Sequence, residues 1–240
     1  MREAFFVLHS DLPREGPGNR ESLDWALSLA GTPENALILD AGCGPGADID
    51  GLLENAPRGH VTAVDAHLPF VEQVRVVWHD DDRVTTHVGD MLEETGPYDL
   101  IWCAGSLYFT GIEDGLKHFR NVLAPGGAVA FSELVWLDTP SPALQAELEK
   151  EYPDIGDIAM LERRISAAGY NLQGVHVLSD DAWEDYYTPM EKRIEMLKPV
   201  VATRRDHELA QVLNDARREI ALWRENSEVF GYAMAVVRPL

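Results

Sequence analysis

Basic residues are scarce in this 240-residue chain: 20 Lys and Arg stand against 41 Asp and Glu, a formal charge of −21. Binding to nucleic-acid phosphates needs clustered cations, so the balance argues against DNA or RNA as a partner. It argues equally against an anionic membrane surface, and the surplus acid reads as a solvated, solubilising exterior. Cysteine is nearly missing. Cys43 and Cys103 cannot build a disulfide framework and read as small buried fillers. No apolar run approaches the ~18 residues of a membrane span. The apolar stretch Ala4 to Leu8 is too short for a signal segment, so a cytoplasmic location is expected. Repeats and low-complexity blocks are missing too. The run His79-Asp80-Asp81-Asp82 does not suit a metal, because consecutive side chains do not converge easily on one ion; no metal is expected.

What is present centres on Leu37-Ile38-Leu39-Asp40-Ala41-Gly42-Cys43-Gly44-Pro45-Gly46. An apolar run of this kind reads as a buried parallel strand. The glycines after it let the main chain turn tightly and approach a ligand closely. Asp40 precedes them, where a ligand amine or ordered water would be met. Further strand-like runs follow at 60–64, 84–88, 98–103 and 127–134, with helical stretches near 48–55, 69–79 and 113–122. This alternation implies crossover connections and a parallel sheet, whose ligands bind beyond the carboxyl ends of the strands.

Upstream, residues 1–30 read as an N-terminal helical segment interrupted by the loop Leu12–Gly18. Downstream, 142–168 reads as mostly helical, 170–178 as a strand, 180–228 as a helical insert and 230–238 as a strongly apolar last strand. The whole, 1–240, is expected to be one domain. The insert follows a strand that should run parallel to the core, so it emerges beside the ligand edge and suits a water-excluding cap.

Three more features align with the glycine loop. Asp65 ends the second strand, where one carboxylate can accept from both hydroxyls of a ribose. Asp90-Met91 follows the third and suits an exocyclic amine and a flat base face. The turn Leu123–Gly127 leads from helix into the fifth strand. Together these make the chain resemble the class I S-adenosylmethionine-dependent methyltransferases, over about Leu37 to Glu133. The resemblance implies a Rossmann-like, doubly wound α/β fold with seven strands, the last antiparallel, and S-adenosyl-L-methionine as cofactor. It also implies that Asp40, Gly42, Gly44 and Ala104 line the methionyl end. Asp65 and Ala66 would meet the ribose and adenosine, and Asp90 and Met91 the adenine. The expected activity is methyl transfer to a small-molecule oxygen, nitrogen, carboxylate or thiol.

Gly42 to Ala47 can also be read as G-x-G-x-x-A, the loop of a nicotinamide-dependent oxidoreductase. Asp48 and Asp50 would repel its pyrophosphate at the helix N-terminus. A non-catalytic S-adenosylmethionine-binding module is the other alternative. Arg14 is a candidate for the cofactor or an acidic substrate, since a guanidinium pairs bidentately with a carboxylate. Candidate general bases are Glu133, Tyr108 and His9, with Tyr187 a fourth. Trp136, Trp183, Tyr186 and Tyr187 are expected to touch the substrate through aromatic faces. A monomer or homodimer is expected.

Overall fold

A computed structural model describes residues 2–240; Met1, which opens the 1–30 segment, lies outside them. One sheet runs through the molecule in the order β3-β2-β1-β4-β5-β8-β7. Its strands are β1 (Leu37–Ala41), β2 (His60–Asp65), β3 (Val84–Val88), β4 (Tyr98–Ala104), β5 (Leu123–Trp136), β7 (Tyr170–Val177) and β8 (Phe230–Pro239). The pairs among β1 to β5 are parallel, and β8 runs antiparallel to both β5 and β7. The doubly wound α/β expectation, with an antiparallel last strand, therefore holds. An eighth strand, β6 (Gly156–Asp157), adds two residues beside the end of β5 and splits the stretch expected to be mostly helical.

Alternation along the strands sorts side chains into two layers. Ile38 joins the layer that carries α2 (Arg20–Ala30), α3 (Ile49–Asn55) and the late helices; Leu39 and Ala41 join the layer under α5 (Ile112–Phe119) and α7 (Ile158–Ala167). The remaining helices are α1 (Arg2–His9), α4 (Leu68–Val77) and α6 (Pro142–Leu148). Local signals set the ends. Asn19 caps α2 by accepting from Ser22 N, and Gly31 closes it at φ 58°, as a capping box and a left-handed glycine would.

Two boundaries differ from expectation. The Leu123–Gly127 turn lies inside β5: Leu123 pairs with Tyr98 and Ala128 with Leu100, so the intervening residues bulge out of register. The 180–228 insert is a helical hairpin, α8 (Asp180–Arg204) and α9 (His207–Asn226), broken where Arg205 turns left-handed at φ 53°.

Hairpin and N-terminal segment are stitched together. Arg193 on α8 donates to Val7 O (3.1 Å) and Ser10 Oγ (2.8 Å) and pairs with Asp11 (2.9 Å). Gly18 N donates to Ala182 O at 3.0 Å. Gln73 on α4 donates to Ser10 O at 2.9 Å, which fastens the same loop to the sheet's flank. The pieces farthest apart in sequence thus form one roof.

Candidate active site

The strand order reverses between β1 and β4, where a doubly wound sheet opens a crevice at its carboxyl ends. Ser106, just past β4, bridges the opening by donating from Oγ to Ala41 O at 2.7 Å. Gly42 (φ 76°) and Gly44 (φ 51°) turn here in the left-handed region, which glycine adopts without steric cost. A Cβ on Gly42 would lie 2.4 Å from Ser106 Oγ, and one on Gly44 3.3 Å from Glu15 Cγ. Both conformation and space therefore require glycine at position 42.

Asp40, the penultimate residue of β1, is only 4% exposed. No hydrogen bond to its carboxylate occurs among the described residues, and burial, followed by Asp48 and Asp65, pushes its pKa far up. Asp65 is tied in: Oδ2 accepts from Gly44 N (2.9 Å) and Oδ1 from His67 N (2.7 Å). An ionised carboxylate has about four acceptor sites, so capacity for a ligand hydroxyl remains. Ala66 beside it is exposed. Asp90 is exposed and caps a short turn by accepting from Leu92 N at 2.9 Å, with Met91 half-buried next to it. Ala104 is the last residue of β4. All seven expected cofactor positions from Asp40 to Met91, and Ala104 with them, fall at this one sheet edge.

Arg14, expected to meet a ligand carboxylate, is engaged within the protein. Its Nε donates to Gly16 O at 2.7 Å, and Nη2 lies 3.5 Å from Asp48 Oδ1. Asp48 also accepts from Trp102 Nε1 at 2.9 Å, so it is paired and cannot act as a free repelling charge. The neighbour that reaches the glycine loop is Glu15. Its Oε2 accepts from His9 Nδ1 at 2.6 Å, while Oε1 is buried without a partner. Burial raises the Glu15 pKa, with His9 opposing.

Beyond the loop lies a second set of side chains. Glu133 stands one step past the end of β4, whose last residue Ala104 pairs with Ser132. Its Oε2 is buried and unpartnered. Burial lifts its pKa to about 7, with Arg164 and the Leu134 backbone opposing and Asp154 adding to the rise. Tyr108 packs against Tyr152 with ring centroids 5.4 Å apart. Burial pushes the Tyr152 phenol up to about 12, with Glu219 adding to the rise and the Tyr232 side chain opposing it.

Tyr186 is 7% exposed and its hydroxyl has no hydrogen bond among the described residues. Burial and the charges of Glu219 and Glu15 raise its pKa, with smaller contributions from Tyr152 and Tyr108. Glu219, on α9, is solvent-exposed, yet surrounding protein raises its pKa. Tyr187 donates to it at 3.1 Å and stacks on Tyr186 with ring centroids 5.2 Å apart, which ties Glu219 to the Tyr186 ring.

The other aromatic candidates serve packing. Trp183 is stacked on Trp223 (4.8 Å, 12°) with Tyr232 and Phe230 edge-on, so its indole is enclosed rather than facing a substrate. Such aromatic pairs contribute about 0.5–1.5 kcal/mol beyond area burial. Trp136 lies edge-on to Phe230 at 6.4 Å. Tyr187 is almost fully buried, and its hydroxyl donates to Glu219 at 3.1 Å; it orients a carboxylate and is not exposed to a ligand.

Sequence reasoning missed Glu15, Tyr152, Glu219 and Tyr232. Only Glu15 left a trace, as the neighbour of Arg14 in the Pro- and Gly-rich loop.

Residues 39–129 match the methyltransferase-domain family. The matched segment carries the glycine loop and strands β2 to β4, and the fold around it is Rossmann-like α/β. Among curated relatives, a malonyl-[acyl-carrier protein] O-methyltransferase from Pseudescherichia vulneris is 32% identical over 116 residues, 48% of this chain and 45% of that protein. A trans-aconitate 2-methyltransferase from Paracidovorax citrulli is 27% identical over 185 residues, covering 73% and 71%. The chain thus spans less than half the length of the first of these relatives. A crystal structure of an S-adenosylmethionine-dependent methyltransferase from Geobacter sulfurreducens, in complex with S-adenosyl-L-homocysteine, superposes with a TM-score of 0.86. It covers 100% of this chain and 99% of that one at 18% identity, a likeness of fold.

Proposed function

We propose that this chain transfers a methyl group from S-adenosylmethionine to a small-molecule acceptor. The observation that carries the reading is the unpartnered, buried Asp40 carboxylate beside two left-handed glycines. A buried charge without a partner is costly, and a cationic ligand group at this point removes the cost. The residues present fit the cofactor. Asp40 would hold its amino group, Gly42, Gly44 and Ala104 its methionyl chain, Asp65 and Ala66 its ribose side, and Asp90 with Met91 its adenine. Arg14 is left out of the set, since Asp48 and Gly16 already engage it. When bound, the sulfonium supplies an electrophilic methyl group.

The chain's own contribution is alignment, exclusion of water and custody of a proton. Alignment can supply up to roughly 7–11 kcal/mol of barrier reduction in well-oriented systems. A carboxyl with pKa about 7 can accept a proton near neutrality, which suits Glu133. His9, held by Glu15, is a second acceptor, whereas Tyr108, its phenol raised by burial, is a donor. The roof of α8 and α9, residues 180–228 within a single 1–240 domain, would exclude water.

The nicotinamide alternative is disfavoured because Asp65 already occupies Gly44 N–H, an amide that a pyrophosphate would need. No described helix is long and apolar enough to cross a membrane. We further propose a cytoplasmic enzyme, monomeric or homodimeric, that takes no nucleic acid. The test is a screen of oxygen, nitrogen, carboxylate and thiol acceptors for S-adenosylhomocysteine release. Release with one class is expected. Silence across all classes from a protein that binds the cofactor would make it a binding module instead.

A further inference from the structure

The cluster of Tyr108, Tyr152, Tyr186, Glu133 and Glu219 beyond the glycine loop has a composition that selects among acceptors. Resting on the methyl-transfer reading above, we infer that it is an amine site, taking an organic ammonium between the rings of Tyr108, Tyr152 and Tyr186 and the carboxylates of Glu133 and Glu219.

Three independent observations support this. Tyr186 is more than nine-tenths buried with its ring stacked on Tyr187 at 5.2 Å, and its hydroxyl makes no hydrogen bond to a described residue. Buried oxygens Glu133 Oε2 and Glu15 Oε1 are likewise unpartnered, and an N–H donor would satisfy either. The phenol rings supply negative π-faces, which attract alkylammonium groups where water is excluded.

The charges facing the cluster point the same way. Glu133, Glu219, Glu15 and Glu151 bear on its tyrosines. One cation, Arg164, opposes them, and it donates to Asp154 O at 2.7 Å; His9 is engaged by Glu15 at 2.6 Å. The curated relatives named for malonyl and trans-aconitate substrates act on acids. A carboxylate entering here would instead meet other carboxylates, which repel it.

The chemistry balances. The amine nitrogen's lone pair forms the new N–C bond as the methyl–sulfur bond of the methylsulfonium donor breaks, and that bond's electrons stay on sulfur. Positive charge moves from sulfur to nitrogen, toward the carboxylates. Before this step the bound ammonium passes one N–H proton to Glu133 or to His9, which frees the lone pair that attacks. Fixed negative groups placed where positive charge arrives stabilise the transfer.

The test uses the full chain saturated with S-adenosylhomocysteine, so that the cofactor side is filled by a neutral thioether. At pH 8, calorimetric titrations compare choline with its uncharged isostere 3,3-dimethylbutan-1-ol and with pivalate. Choline is expected to bind at least about ten-fold tighter than the isostere, with no heat from pivalate. Glu219→Gln and, separately, Tyr186→Phe should each weaken choline several-fold while S-adenosylhomocysteine affinity stays within about two-fold. Glu219 is water-accessible, so that variant should fold even if a change in the tyrosine cluster does not. Equal binding of choline and its isostere, or preference for pivalate, would overturn the amine site and leave cofactor binding intact. Loss of S-adenosylhomocysteine binding in the wild-type chain would overturn both readings.

Discussion

The two sides of the crevice are built on opposite plans. On the β1–β2–β3 side, backbone geometry and short-range bonds fix nearly every group: Gly42 is locked by Ser106, Asp65 by Gly44 and His67, Asp90 by Leu92. On the β5 and cap side the polar groups converge from distant segments: Glu133 Oε2 is buried without a partner, and the Tyr186 hydroxyl makes no hydrogen bond to a described residue. A rigid loop suits a ligand that never changes. A cluster with unfilled donors and acceptors suits a variable one, because the ligand itself completes the hydrogen bonds.

That contrast can be broken most forcefully at Gly42. Replacing it with Ala forces a side chain into the left-handed region against Ser106, a strain of about 1–3 kcal/mol. Thermal unfolding should reveal that loss, and S-adenosylhomocysteine affinity should fall by more than about ten-fold. A variant with wild-type affinity would mean that the loop does not touch the cofactor.

Next comes pH. Burial lifts Glu133 to about 7 from 4.5, so between those values the folded chain binds more protons than the unfolded one. Stability attributable to this group is highest below pH 4.5 and declines as pH rises through 7. The shift corresponds to about 3 kcal/mol. Glu133→Gln should therefore be more stable than the wild type at pH 8, with the difference vanishing at pH 4, by chemical denaturation at each pH. A pH-independent difference would show that Glu133 is not held in the raised state.

Asp65→Ala sharpens the comparison from the other side. Charge-assisted hydrogen bonds are worth about 1.5–3 kcal/mol each, so cofactor affinity should drop about ten- to a hundred-fold while choline binding to the loaded protein persists. Unchanged cofactor affinity would remove Asp65 from the ribose side.

The smallest effect belongs to the roof. Arg193→Ala deletes bonds to Val7 O and Ser10 Oγ and the pair with Asp11, costing about 1 kcal/mol. Hydrogen exchange should accelerate in α1 and the loop after it more than in the sheet. Uniform acceleration would mean that roof and sheet open together.

The same contrast explains what could be read in advance. Asp40, Gly42, Gly44, Asp65 and Asp90 are each set by their place at a strand end, and the order of strands is carried by local apolar patterning. The cluster beyond the loop has no such signature. Tyr152 lies in a loop, Glu219 on the face of a late helix and Tyr232 in a strand that reads as buried, so only tertiary packing unites them. Arg14 shows the limit within a single loop: its charge marked it as the ligand group, but Asp48 claims it, and the adjacent Glu15 reaches the glycines instead. Trp183 and Tyr187 were legible as a cluster but not as a closed one.

The central claim is that the edge holding Asp40, Gly42 and Gly44 binds S-adenosylmethionine. Calorimetric titration of the wild-type chain with S-adenosylhomocysteine, with NADH as the comparison ligand, tests it most directly. Saturable heat with S-adenosylhomocysteine and none with NADH is the predicted result; the reverse pattern would contradict the account.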